Sequence, residues 1–272
     1  MSEIKKIGIY FFSGTGFTGY VTERLSGEFN KRGISVDRIA IKKTKEGDFS
    51  GSLPLSAASG YDAIGIAYPV HSFNAPKIVM NFAGQLPISN GIDTFIIHTA
   101  GEDNRINYSS SNLLIRKLNK KGYRVFYNKL VEMPSNFIVK YDDSKAEGMI
   151  EKVKEDIPQI AQDIIGLKPL SMNGNLISNL ISVLGRAEWP GAHMLGKWFY
   201  TKAGCTRCGK CADNCPNQNI EMTDRAVRFK WRCGLCMKCI YLCPVSVISI
   251  RQPFKFICFD SWYAPDLLEK NK

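Results

Sequence analysis

Cys205-Thr-Arg-Cys208-Gly-Lys-Cys211-Ala-Asp-Asn-Cys215-Pro216 returns 28 residues later as Cys233-Gly-Leu-Cys236-Met-Lys-Cys239-Ile-Tyr-Leu-Cys243-Pro244, and the two runs hold eight of the chain's nine cysteines. Thiolates are soft ligands. Three of them at every third position can each take one corner of an iron–sulfur cube, while the fourth, placed just before proline, points away toward a partner cluster. The spacing therefore predicts two [4Fe–4S] clusters with crossed ligation. Cys205, Cys208, Cys211 and Cys243 would hold one, and Cys233, Cys236, Cys239 and Cys215 the other. A structural zinc site needs four ligands in two pairs and has no use for the third cysteine or for Cys-Pro. A disulfide framework requires an oxidising compartment. Cys258, the ninth, lies outside both runs and reads as a small buried hydrophobe.

Over residues 200 to 252 the doubled motif resembles the bacterial two-cluster ferredoxins. The segment between its halves, Asn219 to Lys230, alternates about a Thr-Asp-Arg turn as a short hairpin does, and Val245–Ile250 can supply a matching strand.

The 272 residues are enough for two domains, one of them small. Met1-Ser-Glu-Ile-Lys-Lys leads directly into an apolar strand without a signal-peptide core, and no apolar run approaches the roughly 18 residues that span a bilayer. The expectation is a soluble, cytoplasmic protein. A formal charge of +11 suggests a nucleic-acid binder. Two oxidised clusters with their thiolates and a bound phosphate, at about −2 each, would bring it to roughly +5. Residues 1–166 carry 21 basic and 18 acidic side chains and residues 167–272 carry 15 and 7, so the excess lies in the cluster-bearing part. That bias suits redox partner proteins with acidic docking faces. No basic block with interleaved aromatics marks a nucleic-acid groove.

At the other end, Ile4–Phe12 is a mostly apolar run suited to a strand buried on both faces of a parallel sheet. It is followed by Ser13-Gly14-Thr15-Gly16-Phe17-Thr18 and then by a helical pattern through Val21, Leu25 and Phe29. A strand, a hydroxyl- and glycine-rich turn and a helix start present backbone N–H groups and the positive end of a helix dipole to a phosphate. The absence of Gly-Lys-Ser/Thr excludes a Walker A loop, and the hydroxyls at 13, 15 and 18 disfavour a Rossmann loop. The turn resembles the flavodoxin loop that wraps the phosphate of FMN with hydroxyls and amides, although flavodoxins usually carry Asn where this chain has Phe17.

Strand-like runs recur at 35–41, 61–67, 93–99 and 123–131, separated by helix-length segments near 75–84, 108–121 and 144–165. The resulting fold class is α/β, a flavodoxin-like doubly wound parallel sheet of five strands in the order 2-1-3-4-5, followed by a small α+β two-cluster ferredoxin domain. Loops at the carboxyl ends of strands 1, 3 and 4 should converge on one crevice. The flavodoxin resemblance implies that the second and third of these hold a flavin ring, with Tyr68, Phe73 and Asn74 as candidates in one and Thr99, Ala100 and Gly101 in the other. His71 could tune or protonate such a flavin, or be a loop histidine with no role. His98, inside an apolar strand, reads as a core residue.

The expected organisation is a flavodoxin-like domain at 1–166, a helical linker at 167–200, a ferredoxin domain at 201–252 and a tail at 253–272. In the linker Leu176, Ile177, Leu180, Ile181, Val183 and Leu184 share a helical face, read as packing one domain onto the other in preference to lying on a membrane. The tail's Phe254, Phe256, Phe259, Trp262 and Tyr263 read as packing back on the body. The whole chain resembles the flavodoxin–ferredoxin fusion proteins, the EFR-family ferrodoxins. That resemblance implies an electron carrier with FMN and two [4Fe–4S] clusters. Two other readings are a flavin-dependent reductase of a small substrate fed by its clusters, and a redox sensor.

Overall fold

A computed structural model of the chain describes residues 3–44, 46–50, 60–138, 141–224 and 226–257. Strand β1 (Lys6–Phe11) leads into helix α1 (Phe17–Lys31), and the alternation continues through β2 (Ser35–Ala40), β3 (Ala63–Pro69), α2 (Lys77–Gln85), β4 (Asp93–Ala100), α3 (Asn112–Lys120), β5 (Arg124–Glu132) and α4 (Asp143–Ile165). The strands pair in parallel in the order β2-β1-β3-β4-β5. This is the flavodoxin-like order. A sixth strand, β6 (Leu170–Ser171), adds in parallel beyond β5 and corrects the expected count of five. Leu170 and Ser171 are too short a run to read as a strand alone, and form one because the chain leaving α4 passes along the open edge of β5.

Alternation of side chains divides the core into two layers. Ile7 and Ile9 of β1, Ala63 and Ala67 of β3, and Phe95 and Ile97 of β4 face α1 and α4. Tyr10, Phe12, Ile64, Ile66, Tyr68 and Ile96 face α2 and α3. Burial of such side chains contributes about 1.5–3 kcal/mol each. Because both faces are covered, the strands read in the sequence as nearly continuous apolar runs.

The segment after β6 departs from the expectation. Helix α5 (Leu176–Gly185) is N-capped by Asn175, whose side chain accepts from the Ser178 amide at 2.8 Å. It docks by its serine side. Ser178 Oγ meets Ser109 Oγ at 2.7 Å, and Ser182 Oγ donates to Asn74 Oδ1 at 2.9 Å. Leu176 is 87% exposed and Leu184 66%, and Ile177, Leu180 and Val183 are exposed as well. The apolar face therefore does not join the two domains, because short hydroxyls bring this helix close to the 109–111 turn and leave the aliphatic side outward. Joining falls to helix α6 (Glu188–Leu195). Its Trp189 packs against the α2–α3 layer, while Ala192 and Leu195 belong to the core of the cysteine-bearing module.

That module begins with β7 (Phe199–Thr201). It continues through α7 (Lys210–Asp213), the hairpin β8 (Ile220–Met222) and β9 (Val227–Phe229), α8 (Lys238–Tyr241) and β10 (Ile248–Ile250). β8 and β9 form the expected hairpin. β10 pairs antiparallel with β7, not with the hairpin, so Phe199 faces Ile250 across the ladder. Phe254 lies 5.3 Å from Trp198, ring to ring, and Phe256 is exposed; Cys258 and the remaining tail aromatics lie outside the described residues.

Candidate functional site

Four loops at the carboxyl ends of β1, β3, β4 and β5 meet in one open cleft. Ser13, Gly14, Thr15, Phe17 and Thr18 line it from the first loop, and Thr99, Ala100 and Gly101 from the loop after β4. Gly16 sits behind them as the N-cap of α1, at φ 107°, a conformation that glycine adopts freely. Gly16 has no side chain with which to cap α1 and no acidic residue occupies its first turn, so the positive end of the helix dipole is not neutralised there. Ser13 Oγ accepts from the Gly19 amide at 3.2 Å, which leaves its own proton free to donate. Thr18 Oγ1 and Thr99 Oγ1 lie 2.8 Å apart, both buried, and fasten the first loop to the third.

The loop after β3 contributes His71, as one reading anticipated, but none of the three ring-contact candidates. Pro69, Val70, His71 and Ser72 line the cleft; Tyr68, Phe73 and Asn74 do not. Tyr68 falls on the β3 face turned toward α2 and is wholly buried there. Asn74 turns back to α5, donating to the Ser182 carbonyl at 2.7 Å, and Phe73 points outward at φ 62°. His98 is fully buried with Nδ1 2.8 Å from Ser110 Oγ, and burial lowers its imidazolium to about 3.

Three further walls complete the cleft, the third of them inside the second cysteine run. Met133 to Phe137, after β5, form the first; Glu188, the opening residue of α6, forms the second; Leu235, Cys236 and Met237 form the third. Position alone could have flagged Met133–Phe137, since it too follows the carboxyl end of a strand. The cysteine loop is anchored across the junction. The Tyr241 hydroxyl donates to the Asn136 carbonyl, the Lys43 amide donates to the Pro216 carbonyl at 2.9 Å, and Gln218 Nε2 donates to the Lys43 carbonyl at 3.1 Å.

The eight cysteines ring two separate cavities. One is lined by Cys205, Cys208, Cys211 and Cys243; the other by Cys215, Cys233, Cys236 and Cys239. Among the described residues no three His, Cys, Asp or Glu side chains gather as a single-ion site. Each run winds into a short helix behind a left-handed residue, Gly209 at φ 76° and Met237 at φ 57°. This turn faces the first three cysteines of a run toward its own cavity and sends the fourth to the other. Amides point at sulfur. Asn219 N–H meets Cys215 Sγ at 3.2 Å and Leu235 N–H meets Cys233 Sγ at 3.4 Å.

The two cavities differ in depth. Burial pushes the Cys233 thiol up to about 12 and Cys236 to about 11, and Cys239 is raised as well. Thiolates there require compensating positive charge, which a soft metal cluster supplies. Cys208 is exposed, and a hydrogen bond from the Lys210 amide lowers its thiol. Arg207 and Lys210 line that outer cavity. The donor chemistry fits iron–sulfur clusters at both cavities. The cleft, lined by the hydroxyl residues Ser13, Thr15, Thr18 and Thr99 and by the apolar Pro69, Val70, Met133 and Phe137, suits a phosphate-bearing ligand with an apolar ring.

Residues 204–247 match a family described as a 4Fe-4S dicluster domain. No curated protein matches the chain. Among solved structures, a flavodoxin from the domain Archaea is similar at 15% identity and TM-score 0.37, covering 58% of this chain and 99% of its own. Flavodoxin 2 from Bacillus cereus is similar at 13% and 0.42, covering 58% and 95%, and a flavodoxin, WrbA-like protein from Agrobacterium tumefaciens at 14% and 0.41, covering 60% and 99%. The flavodoxin-like assignment rests on the strand order and the crevice themselves. A flavodoxin-like sheet followed by a 4Fe-4S dicluster domain fits a flavodoxin–ferredoxin fusion.

Proposed function

We propose that the chain is an electron carrier that relays electrons between FMN in the cleft, two [4Fe–4S] clusters, and external redox proteins. One observation carries the reading: Cys236 lines both the cleft and the inner cysteine cavity, so the two cofactor sites share a wall. Bound flavin would exchange one or two electrons, and each cluster one.

The first loop binds the phosphate through the hydroxyls of Ser13, Thr15 and Thr18 and the amides that open α1. Apolar walls from the loops after β3 and β5 hold the ring and exclude water from it. Cys215, Cys233, Cys236 and Cys239 ligate the inner cluster, and Cys205, Cys208, Cys211 and Cys243 the outer one. The outer site is the one for external exchange, because Cys208 is exposed beside Arg207 and Lys210, which attract an acidic partner.

Protein purified without oxygen should contain about eight iron, eight sulfide and one FMN per chain. After rapid reduction of the clusters, the flavin should follow at a rate independent of protein concentration. A stoichiometric zinc content without sulfide would end the cluster reading. A rate proportional to concentration would mean that the cofactors meet only between molecules.

A further inference from the structure

The loop after β3 reaches the cleft through Pro69, Val70, His71 and Ser72, and its two ends are fixed by backbone alone. The Val70 amide donates to the Thr99 carbonyl at 2.8 Å and the Ala75 amide to the Ser110 carbonyl at 3.0 Å. Between these ends His71 and Asn74 exchange both backbone hydrogen bonds, at 3.0 and 2.9 Å, around Ser72 at φ 41° and Phe73 at φ 62°. A two-residue turn with both central residues in the left-handed region favours Asn and Gly. Serine and phenylalanine are poor occupants of it, and Phe73 gains little packing in return, being 37% exposed. The turn therefore does not follow from its own residues and must be held from outside.

Helix α5 holds it. Asn74 is buried, donates from Nδ2 to the Ser72 carbonyl at 2.9 Å and to the Ser182 carbonyl at 2.7 Å, and accepts at Oδ1 from Ser182 Oγ at 2.9 Å. One amide side chain thus ties the turn to the second half of the helix. Gly185, at the end of α5, lies against the same carbonyl, and a β-carbon there would run into the Ser72 oxygen. The first half of the helix is docked separately. Ser178 Oγ meets Ser109 Oγ, and Asn112 Nδ2 donates to Asn179 Oδ1 at 2.8 Å, so α5 does not depend on Asn74 for its place.

We infer that Asn74 is a positioning residue of the cleft: by joining Ser72 to Ser182 it makes the linker helix α5 the mould of the wall that meets the flavin ring. This rests on the flavin reading above. Neither Asn74 nor any residue of α5 lines the cleft, so the effect runs through the shape of the 70–72 wall and not through contact with the ligand. A wall already in its binding shape spares the ligand the cost of ordering it. The phosphate end is built on the separate 13–18 loop, so what α5 sets is affinity for the ring.

The test uses full-length, anaerobically purified protein and the variants Asn74→Ala, Gly185→Ala and Asn74→Ala combined with Phe73→Gly, each assayed first for iron and sulfide. Riboflavin, which lacks the phosphate, probes the ring alone, and FMN probes ring and phosphate together. Asn74→Ala should weaken both by the same factor, about 10-fold for hydrogen bonds lost from a buried site. Thr15→Val should weaken FMN and leave riboflavin unchanged. Gly185→Ala keeps every hydrogen-bonding side chain but displaces the helix from Ser72; it should behave as Asn74→Ala does, and replaces it if that variant fails to fold. Phe73→Gly gives the turn a residue suited to its φ and should recover most of the loss. Hydrogen exchange reads the turn without flavin: the His71 and Asn74 amides should exchange about 10-fold faster in Asn74→Ala and slow again in the double variant. The inference is overturned if Asn74→Ala keeps wild-type riboflavin affinity, if its exchange rates are unchanged, or if Phe73→Gly restores nothing. Wild-type protein that binds neither riboflavin nor FMN would instead defeat the flavin reading, while the exchange rates would still decide whether Asn74 shapes the turn.

Discussion

A β-carbon built on Gly14 would stand 2.3 Å from the carbonyl oxygen of Cys236, so the phosphate loop and the inner cysteine loop touch backbone to backbone. Real side chains do not tolerate that approach, and the atom in the way is main chain. Gly14→Ala must push the two loops apart, at about 1–3 kcal/mol of overpacking. FMN titration should show weaker binding, and flavin reduction by the clusters should slow. Gly27, inside α1 with nothing within 4 Å, is the control. Gly27→Ala should raise stability by about 0.4–1 kcal/mol by restricting the unfolded chain, with flavin binding unchanged.

The proposed crossed ligation has a spectroscopic consequence. Cys215 lies in the first run but lines the cavity of Cys233, Cys236 and Cys239. Cys215→Ala and Cys233→Ala should therefore remove the same paramagnetic signal from the reduced protein, while Cys205→Ala removes the other. If Cys215→Ala and Cys205→Ala perturb one and the same cluster, each run is self-contained.

The two threonines of the phosphate loop should respond differently. Thr18 is buried against Thr99, so Thr18→Val strands a buried hydroxyl and should cost about 1–3 kcal/mol in thermal or denaturant melts, along with FMN affinity. Thr15 lines the cleft and is half-buried. Thr15→Val should weaken FMN binding and leave the melt nearly unchanged. Both variants should retain full iron and sulfide.

Two buried groups give the stability–pH curve opposite slopes. Folding raises the Glu188 carboxyl from 4.5 to about 7, so its contribution is complete below pH 4.5 and is lost as pH rises through 7, on the order of 3 kcal/mol at the limit. Folding lowers His98 from 6.5 to about 3, so its contribution is present above pH 6.5 and is lost as pH falls toward 3. Denaturant melts across pH should show Glu188→Gln flattening the decline from pH 4.5 to 7 and leaving the acid limb in place. A decline unchanged in that variant would mean that Glu188 is ionised throughout.

Periodicity and spacing reveal what depends on the local chain. The strand order follows from alternating apolar runs and helix-length segments, and the two cysteine cavities follow from the spacing, because one turn and a proline dictate where each sulfur points. The strand, turn and helix around residues 13–18 are legible for the same reason. The place of Tyr68 and Asn74 in the loop after β3 suggests flavin contacts, whereas the register of β3 and the hydrogen bonds to α5 turn them elsewhere. The apolar face of α5 is visible in the letters, but which side docks was decided by Ser109 and Asn74, far away in the chain. Glu188 left only a faint signal, a lone acid within the aromatic and small residues of the 187–192 segment.

The wall that the cleft and the inner cavity share ties the affinity of each proposed cofactor site to the other. If the Cys233–Cys239 loop is ordered by its cluster, flavin meets a finished surface, and by reciprocity bound flavin steadies the loop by the same free energy. Maturation is then expected to run from iron to flavin. Oxygen that strips the inner cluster should release FMN too, leaving the chain unable to pass stray single electrons onward.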